Sequence, residues 1–225
     1  ILGVSGAVEA NVADYQAYVD ANPDAFSAPA TAAEVQAMVD AVNGTDQLAA
    51  IGTDANDGAG TGGVSVDTAG SDADDAAALN NIAGVSGAEE SNVSAYQAYV
   101  DDNIGSMSSP ATASEIQAMI DAVNTAQDQL TAIGDDADDG VAPGNSIDSA
   151  DGTPTEDAAV LNAIDGVSGV LPANIADYQA YVDANPDAFS APATAAELQA
   201  MVDAVNGTDQ LAAIGTDASD GAGTG

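Results

Sequence analysis

A block of about 82 residues is written almost three times over in this chain, the mark of a tandem array, and no copy contains Lys, Arg or His. Tyr15-Gln16-Ala17-Tyr18-Val19-Asp20 returns as Tyr96 to Asp101 and again as Tyr178 to Asp183. The fold must therefore be one that a repeated unit can build. It must also be one that needs no side-chain ion pair. With 37 acidic residues and a net charge of −37, self-repulsion has to be tolerated, screened by salt or neutralised by bound cations.

Ile1 to Gly62 aligns without gaps onto Ile164 to Gly225 and differs at Leu2/Asp165, Ala7/Val170, Val8/Leu171, Glu9/Pro172, Val12/Ile175, Val35/Leu198 and Asn56/Ser219. The sequence starts and stops inside the repeat, so it is expected to be a window on a longer polypeptide. It shows no basic-then-apolar signal and no apolar run long enough to cross a bilayer. A unit of this size is only marginally stable alone, and stacked neighbours would help it. The 46% apolar fraction is inflated by Ala, with two Phe, four Met and no Trp. Thin helices packed closely through Ala are expected rather than a thick core.

The periodicity predicts a mainly α fold, a tandem array of three-helix units joined by Asp/Gly-rich loops. In the first helix Thr153-Pro154-Thr155-Glu156 supplies a capping box with Pro at the first helical position, and Ser71-Asp72-Ala73-Asp74 is its counterpart. The paired glycines of Gly-Val-Ser-Gly at Gly3, Gly84 and Gly166 predict a turn after it. The second helix carries the Tyr hexapeptide, with Ile175, Tyr178 and Val182 on one side. Asn185-Pro186 ends it. The third opens on capping boxes at Thr31/Glu34, Thr112/Glu115 and Thr194/Glu197, followed by Val35, Met38, Val39 and Val42 as an apolar stripe. A kink or short loop is expected at Asn43-Gly44 and at Asn124-Thr125-Ala126-Gln127. Residues 52–70 and 134–152 read as acidic linkers, with a short extended piece at Gly63 to Val66. On this phase residues 1–70 are a partial repeat lacking its first helix, 71–152 are complete, and 153–225 are truncated in the acidic loop. The uncovered apolar face of the first repeat predicts that successive chains meet head to tail.

No Cys is present, which removes disulfides and thiol chemistry. The charge excludes nucleic acid and anionic membrane as partners, because both are bound through Lys and Arg. Cations, or other copies bridged by cations, are favoured. Clustered carboxylates with a nearby Asn oxygen suit a hard cation such as calcium. The candidate ligands are Asp54, Asn56 and Asp57; Asp135, Asp136, Asp138 and Asp139; and Asp217 and Asp220. They do not match an EF-hand, whose third position is here Ala55, Ala137 or Ala218. A solvated acidic linker is the alternative reading. Catalysis is not expected, since no His, Cys or Lys is available as base or nucleophile. Asn43, Asn92 and Asn206 stand in N-glycosylation triplets, although Asn43 and Asn206 also suit the end of a helical turn. In each pair Tyr15/Tyr18, Tyr96/Tyr99 and Tyr178/Tyr181, one ring is expected in the core and the other at its edge.

The string Ala30 to Asn43, Ala-Thr-Ala-Ala-Glu-Val-Gln-Ala-Met-Val-Asp-Ala-Val-Asn, following Gly-Val-Ser-Gly and an Asn-initiated helix, resembles the helical tandem repeats of very long bacterial extracellular surface and adhesin-like proteins. The resemblance covers essentially the whole chain. It implies an extracellular or cell-surface fibre or stalk, acidic and calcium-associated, that self-associates head to tail. The alternative is a calcium-stiffened adhesin segment that binds glycans or a surface.

Overall fold

The computed structural model describes residues 1–56, 65–68, 71–103, 105–139, 146–147 and 153–219, without the side chains of 139 and 217–219. It is mainly helical, with no strand among the described residues. The α-helices are α1 (Val12–Ala21), α2 (Ala32–Asp54), α3 (Asp72–Asn80), α4 (Val93–Asp102), α5 (Ala113–Asp139), α6 (Pro154–Asn162), α7 (Ile175–Ala184) and α8 (Ala195–Ser219). Two compact units are present, Ile1–Val123 and Asn124–Gly225, and their boundary falls inside α5.

Helix starts follow local chemistry. Thr31 Oγ1 accepts from Glu34 N while Thr31 N donates to Glu34 Oε2, and the same exchange occurs at Thr112/Glu115, Thr153/Glu156 and Thr194/Glu197. Each exchange satisfies a backbone donor that a helix start leaves open. Gly3 and Gly6, Gly84 and Gly87, and Gly166 and Gly169 all have positive φ, so the Gly-Val-Ser-Gly turn depends on glycine at both ends.

The first unit holds two apolar clusters. Tyr15 of α1 packs with Met38, Val39 and Val42 of α2. The larger cluster takes Ile51 from the far half of α2, Leu79 from α3, Val93, Tyr96 and Val100 from α4, and Ile116, Met119 and Ile120 from α5. Helix α2 thus serves one core with its first half and a second core with its last turns. In the second unit Leu130 and Ile133 of α5 join Leu161 of α6, Ile175, Tyr178 and Val182 of α7, and Leu198, Met201 and Val202 of α8. The three residues expected on one side of the Tyr helix, Ile175, Tyr178 and Val182, are all buried.

The expected break at Asn43-Gly44 does not occur. Helix α2 is continuous, and α5 runs unbroken through Asn124 to Gln127. Asn disfavours helix interiors when its side chain competes for the local backbone. Here Asn43 is engaged elsewhere. Its Oδ1 accepts from the Tyr15 hydroxyl at 2.8 Å and its Nδ2 donates to Gly6 O at 2.8 Å. Gly44 is buried, and a Cβ there would lie 3.4 Å from Ile82 Cα. Its intrinsic cost of about 1 kcal/mol in a helix is offset by that close approach. The acidic segments also begin later than expected, because α2 extends to Asp54 and α5 to Asp139. Gly63 and Val64 of the expected extended piece lie outside the described residues.

Candidate functional site

The polar centre of each larger core is a clamp built on the repeated Gln of the Tyr hexapeptide. Gln97 is buried, its Oε1 accepts from Val66 N at 2.7 Å, and its Nε2 donates to Asp54 Oδ2 at 2.9 Å and Asp101 Oδ1 at 2.8 Å. Ser65 Oγ also donates to Asp54 Oδ2, at 2.6 Å, and Gln47 Nε2 donates to Ser65 O. The second unit repeats the set: Gln179 joins Ile147 N, Asp136 and Asp183, while Ser146 Oγ donates to Asp136 and Gln129 Nε2 to Ser146 O. A neutral amide with both donor and acceptor ends can hold two carboxylates without a cation. Two acids expected as metal ligands, Asp54 and Asp136, therefore tie a short strap, Ser65-Val66 or Ser146-Ile147, onto the helices.

The other expected ligands are dispersed. Asn56 Nδ2 donates to Gly52 O and Met107 O, and Asp135 and Asp138 lie exposed in the last turns of α5. Asp139 and Asp217 belong to α5 and α8, their side chains outside the described set, and Asp57 and Asp220 lie outside the described residues. Among the described residues the carboxylates close enough to share a cation are Asp67, Asp72 and Asp75, with one oxygen of each within 4.8 Å of the others. Asp75 already accepts from Thr68 N and Thr68 Oγ1, and Asp67 from Ser94 Oγ. Three oxygens are half or fewer of the roughly 6–8 that calcium takes, so this set fits a weakly held ion that keeps much of its water. The third repeat has Pro154 where the second has Asp72.

Two of the N-glycosylation candidates, Asn43 and Asn206, are partly buried and hydrogen-bonded to neighbouring elements. Asn206 Oδ1 accepts from Tyr178 Oη at 2.6 Å and from Asn174 Nδ2, and its own Nδ2 donates to Gly169 O at 3.0 Å. Asn43 does the same with Tyr15, Asn11 and Gly6. Each Nδ2 thus uses one of its two N–H groups to hold the Gly-Val-Ser-Gly turn. Asn92 is buried at the start of α4. Tyr15, Tyr96 and Tyr178 are the core rings, whereas Tyr18, Tyr99 and Tyr181 are half-buried at the edge. Tyr18 and Tyr181 each meet a Phe ring edge-on at 6.4 Å. All six tyrosines are thus placed as expected of packing residues.

Hydrogen bonds at the helix starts lower the pKa values of the capping carboxylates. Glu115 is held at a pKa of about 2, first by Ser108 Oγ and then by Thr112 N. Glu34 is lowered chiefly by the Thr31 backbone N–H and Glu156 by the Thr153 hydroxyl. At Glu197 burial pushes upward, but the hydrogen bonds from Thr194 and Ser190 outweigh it and the pKa falls. These are stabilised anions on exposed helix starts, the opposite of a carboxyl poised to exchange protons.

Sequence reasoning assigned no role to the glutamines. Besides the clamp, Gln36 Oε1 accepts from Ser5 N and its Nε2 donates to Ser5 O, and Gln117/Ser86 and Gln199/Ser168 repeat the pair. The available signal was their recurrence at fixed places in every copy. Comparison of the chain with protein-family models, curated proteins and solved structures found no match.

Proposed function

We propose that this chain is a structural protein: an array of about 82-residue three-helix units that spans distance outside the cell as a fibre or stalk, joined head to tail. The observation that carries the reading is the division of α2 between two cores, Met38, Val39 and Val42 in one and Ile51 in the next. A helix that closes one core and opens another makes each unit's stability depend on its neighbour, the property that lets repeat proteins extend in one dimension. The polar side chains support this, because clamp, turn pins and capping boxes all hold backbone in place. No helix among the described residues is long and apolar enough to cross a membrane. Without Lys or Arg, the chain offers trypsin-like proteases no cleavage site, which suits an extracellular setting.

Calcium belongs to this reading as a neutralising counter-ion, with Asp67, Asp72 and Asp75 as its best-gathered carboxylates. The competing adhesin reading is separated by a glycan array probed with the intact chain, with calcium and with chelator. The structural reading expects no saturable binding in either condition, and calcium-dependent binding to a defined glycan would replace it.

A further inference from the structure

Asn43-Gly44 and Asn206-Gly207 are, we propose, latent deamidation sites that the folded helices hold closed, and whose opening turns the asparagine that pins the Gly-Val-Ser-Gly turn into an acid that cannot hold it. Nothing beyond this chain and water takes part.

Asparagine is among the thermolabile residues, and a following glycine exposes it most, because glycine has no Cβ to block the approach and reaches conformations closed to other residues. The Gly44 nitrogen bonds to Asn43 Cγ, the Cγ–Nδ2 bond breaks, and Nδ2 leaves as ammonia with the proton that the Gly44 nitrogen gives up. Water then opens the five-membered imide at either carbonyl. One product has Asp at position 43; the other is an isoaspartate, whose main chain runs through the side-chain carboxyl and is longer by one carbon. The middle copy carries Asn124-Thr125 at the same place, where a β-branched neighbour crowds the attacking nitrogen. The first and third copies therefore hold the reactive pair, and the second does not.

The folded chain closes this route twice. Asn43 and Gly44 lie inside α2, where the Gly44 N–H belongs to the helical ladder and points back along the axis to the preceding turn. The amide is held as well: Oδ1 accepts from Tyr15 Oη at 2.8 Å and from Asn11 Nδ2 at 3.2 Å, and Nδ2 donates to Gly6 O at 2.8 Å. Asn206 is held alike by Tyr178 Oη at 2.6 Å, Asn174 Nδ2 at 3.0 Å and Gly169 O at 3.0 Å. Water is at hand, because Asn43 and Gly44 help to line a cleft of about 620 Å³ between the Ser5-Gly6 turn, α2 and α3. Opening of the helix, not access of solvent, therefore limits the reaction. Asn43 also stands between Val42, which α2 gives to the first core, and Leu48 and Ile51, which it gives to the second. A carboxylate there loses the N–H that holds Gly6 O, and an isoaspartate breaks the α2 ladder between the two cores. Conversion at Asn43 thereby uncouples the cores that α2 joins.

Peptide mapping by mass spectrometry follows the three asparagines in the intact chain, aged at mildly alkaline pH with and without urea. In urea Asn43 and Asn206 are expected to convert together while Asn124 lags behind. In buffer both should be slower by more than about tenfold, because reaction from a transiently opened state follows the population of that state. Tyr15→Phe removes a donor that pins Asn43 and leaves Asn206 its Tyr178. It should speed conversion of Asn43 in buffer by about fivefold or more, with Asn206 and the rates in urea unchanged. Conversion in buffer as fast as in urea, an Asn124 that keeps pace with Asn43 in urea, or a Tyr15→Phe chain in which Asn43 reacts no faster would each overturn the proposal. Asn43→Asp tests the consequence by hydrogen exchange. Protection at Val39 and Val42 should fall by about tenfold or more while that at Ile116 and Ile120 holds. A loss shared equally by Ile116 and Ile120, or no loss at all, would overturn the uncoupling.

Discussion

At the scale of single residues, stability rests on neutral groups holding anionic ones. The Tyr178 hydroxyl accepts from Leu171 N and donates to Asn206 Oδ1. Tyr178→Phe keeps the ring and leaves both groups short of a partner, a loss of about 1–3 kcal/mol. Native-state hydrogen exchange should show the α7 amides less protected by about tenfold or more. Gln97→Glu is expected to be worse than Gln97→Ala at neutral pH, because it sets a third carboxylate beside Asp54 and Asp101, which Gln97 now joins. The Glu variant should regain ground relative to the Ala variant as pH falls, and exchange at Val66 N reads the effect directly. Glu115 gives a pH prediction of known sign. Its folded pKa, about 2, lies below its ordinary value of 4.5, so its stabilisation is fully present above pH 4.5 and is lost as pH falls through about 2. The difference in melting temperature between the parent and Glu115→Gln should therefore shrink over that window.

At the scale of elements, one glycine in two settings yields opposite signs. Gly52→Ala forces a Cβ into Ser108 and Ala111 and should destabilise the first unit. Gly215→Ala in the identical octapeptide meets open space and should stabilise α8 by up to about 1 kcal/mol through helix propensity alone. Denaturation of the two variants at low protein concentration checks the pair. The same contrast explains what was legible in the sequence. Capping boxes, the Gly-Val-Ser-Gly turn and the buried side of the Tyr helix follow from residues within a turn or two of each other, and the structure has them where the sequence predicts. The continuity of α2 was not legible, because the group that frees Asn43 to stay helical is Gly6, 37 residues away. The clamp was hidden in the same way: Asp54 looked like a linker acid until Gln97, 43 residues on, supplied its partner. In a chain of near-identical copies, spacing reveals the period but not which copy a side chain reaches.

For the whole molecule, a net charge of −37 without one cationic side chain makes folding depend on the solution. Self-repulsion opposes the compact state, so raising NaCl from about 20 mM to 1 M, which shortens the Debye length to about 3 Å, should raise the melting temperature by at least about 3 °C, the shift that ~1 kcal/mol produces in a chain of this length. Calcium at matched ionic strength should add a further increment if the Asp67, Asp72 and Asp75 group holds it. The spacer function is tested most directly by small-angle scattering from three chains: the parent, one with residues 71–152 deleted, and one with that segment duplicated. A structural array predicts a maximum dimension that changes by the same length with each repeat, and a radius of gyration for the parent well above the roughly 17 Å of a compact chain of this length. A radius that stays near about 17 Å and changes by only ~2–3 Å per repeat, as compact packing requires, would contradict it.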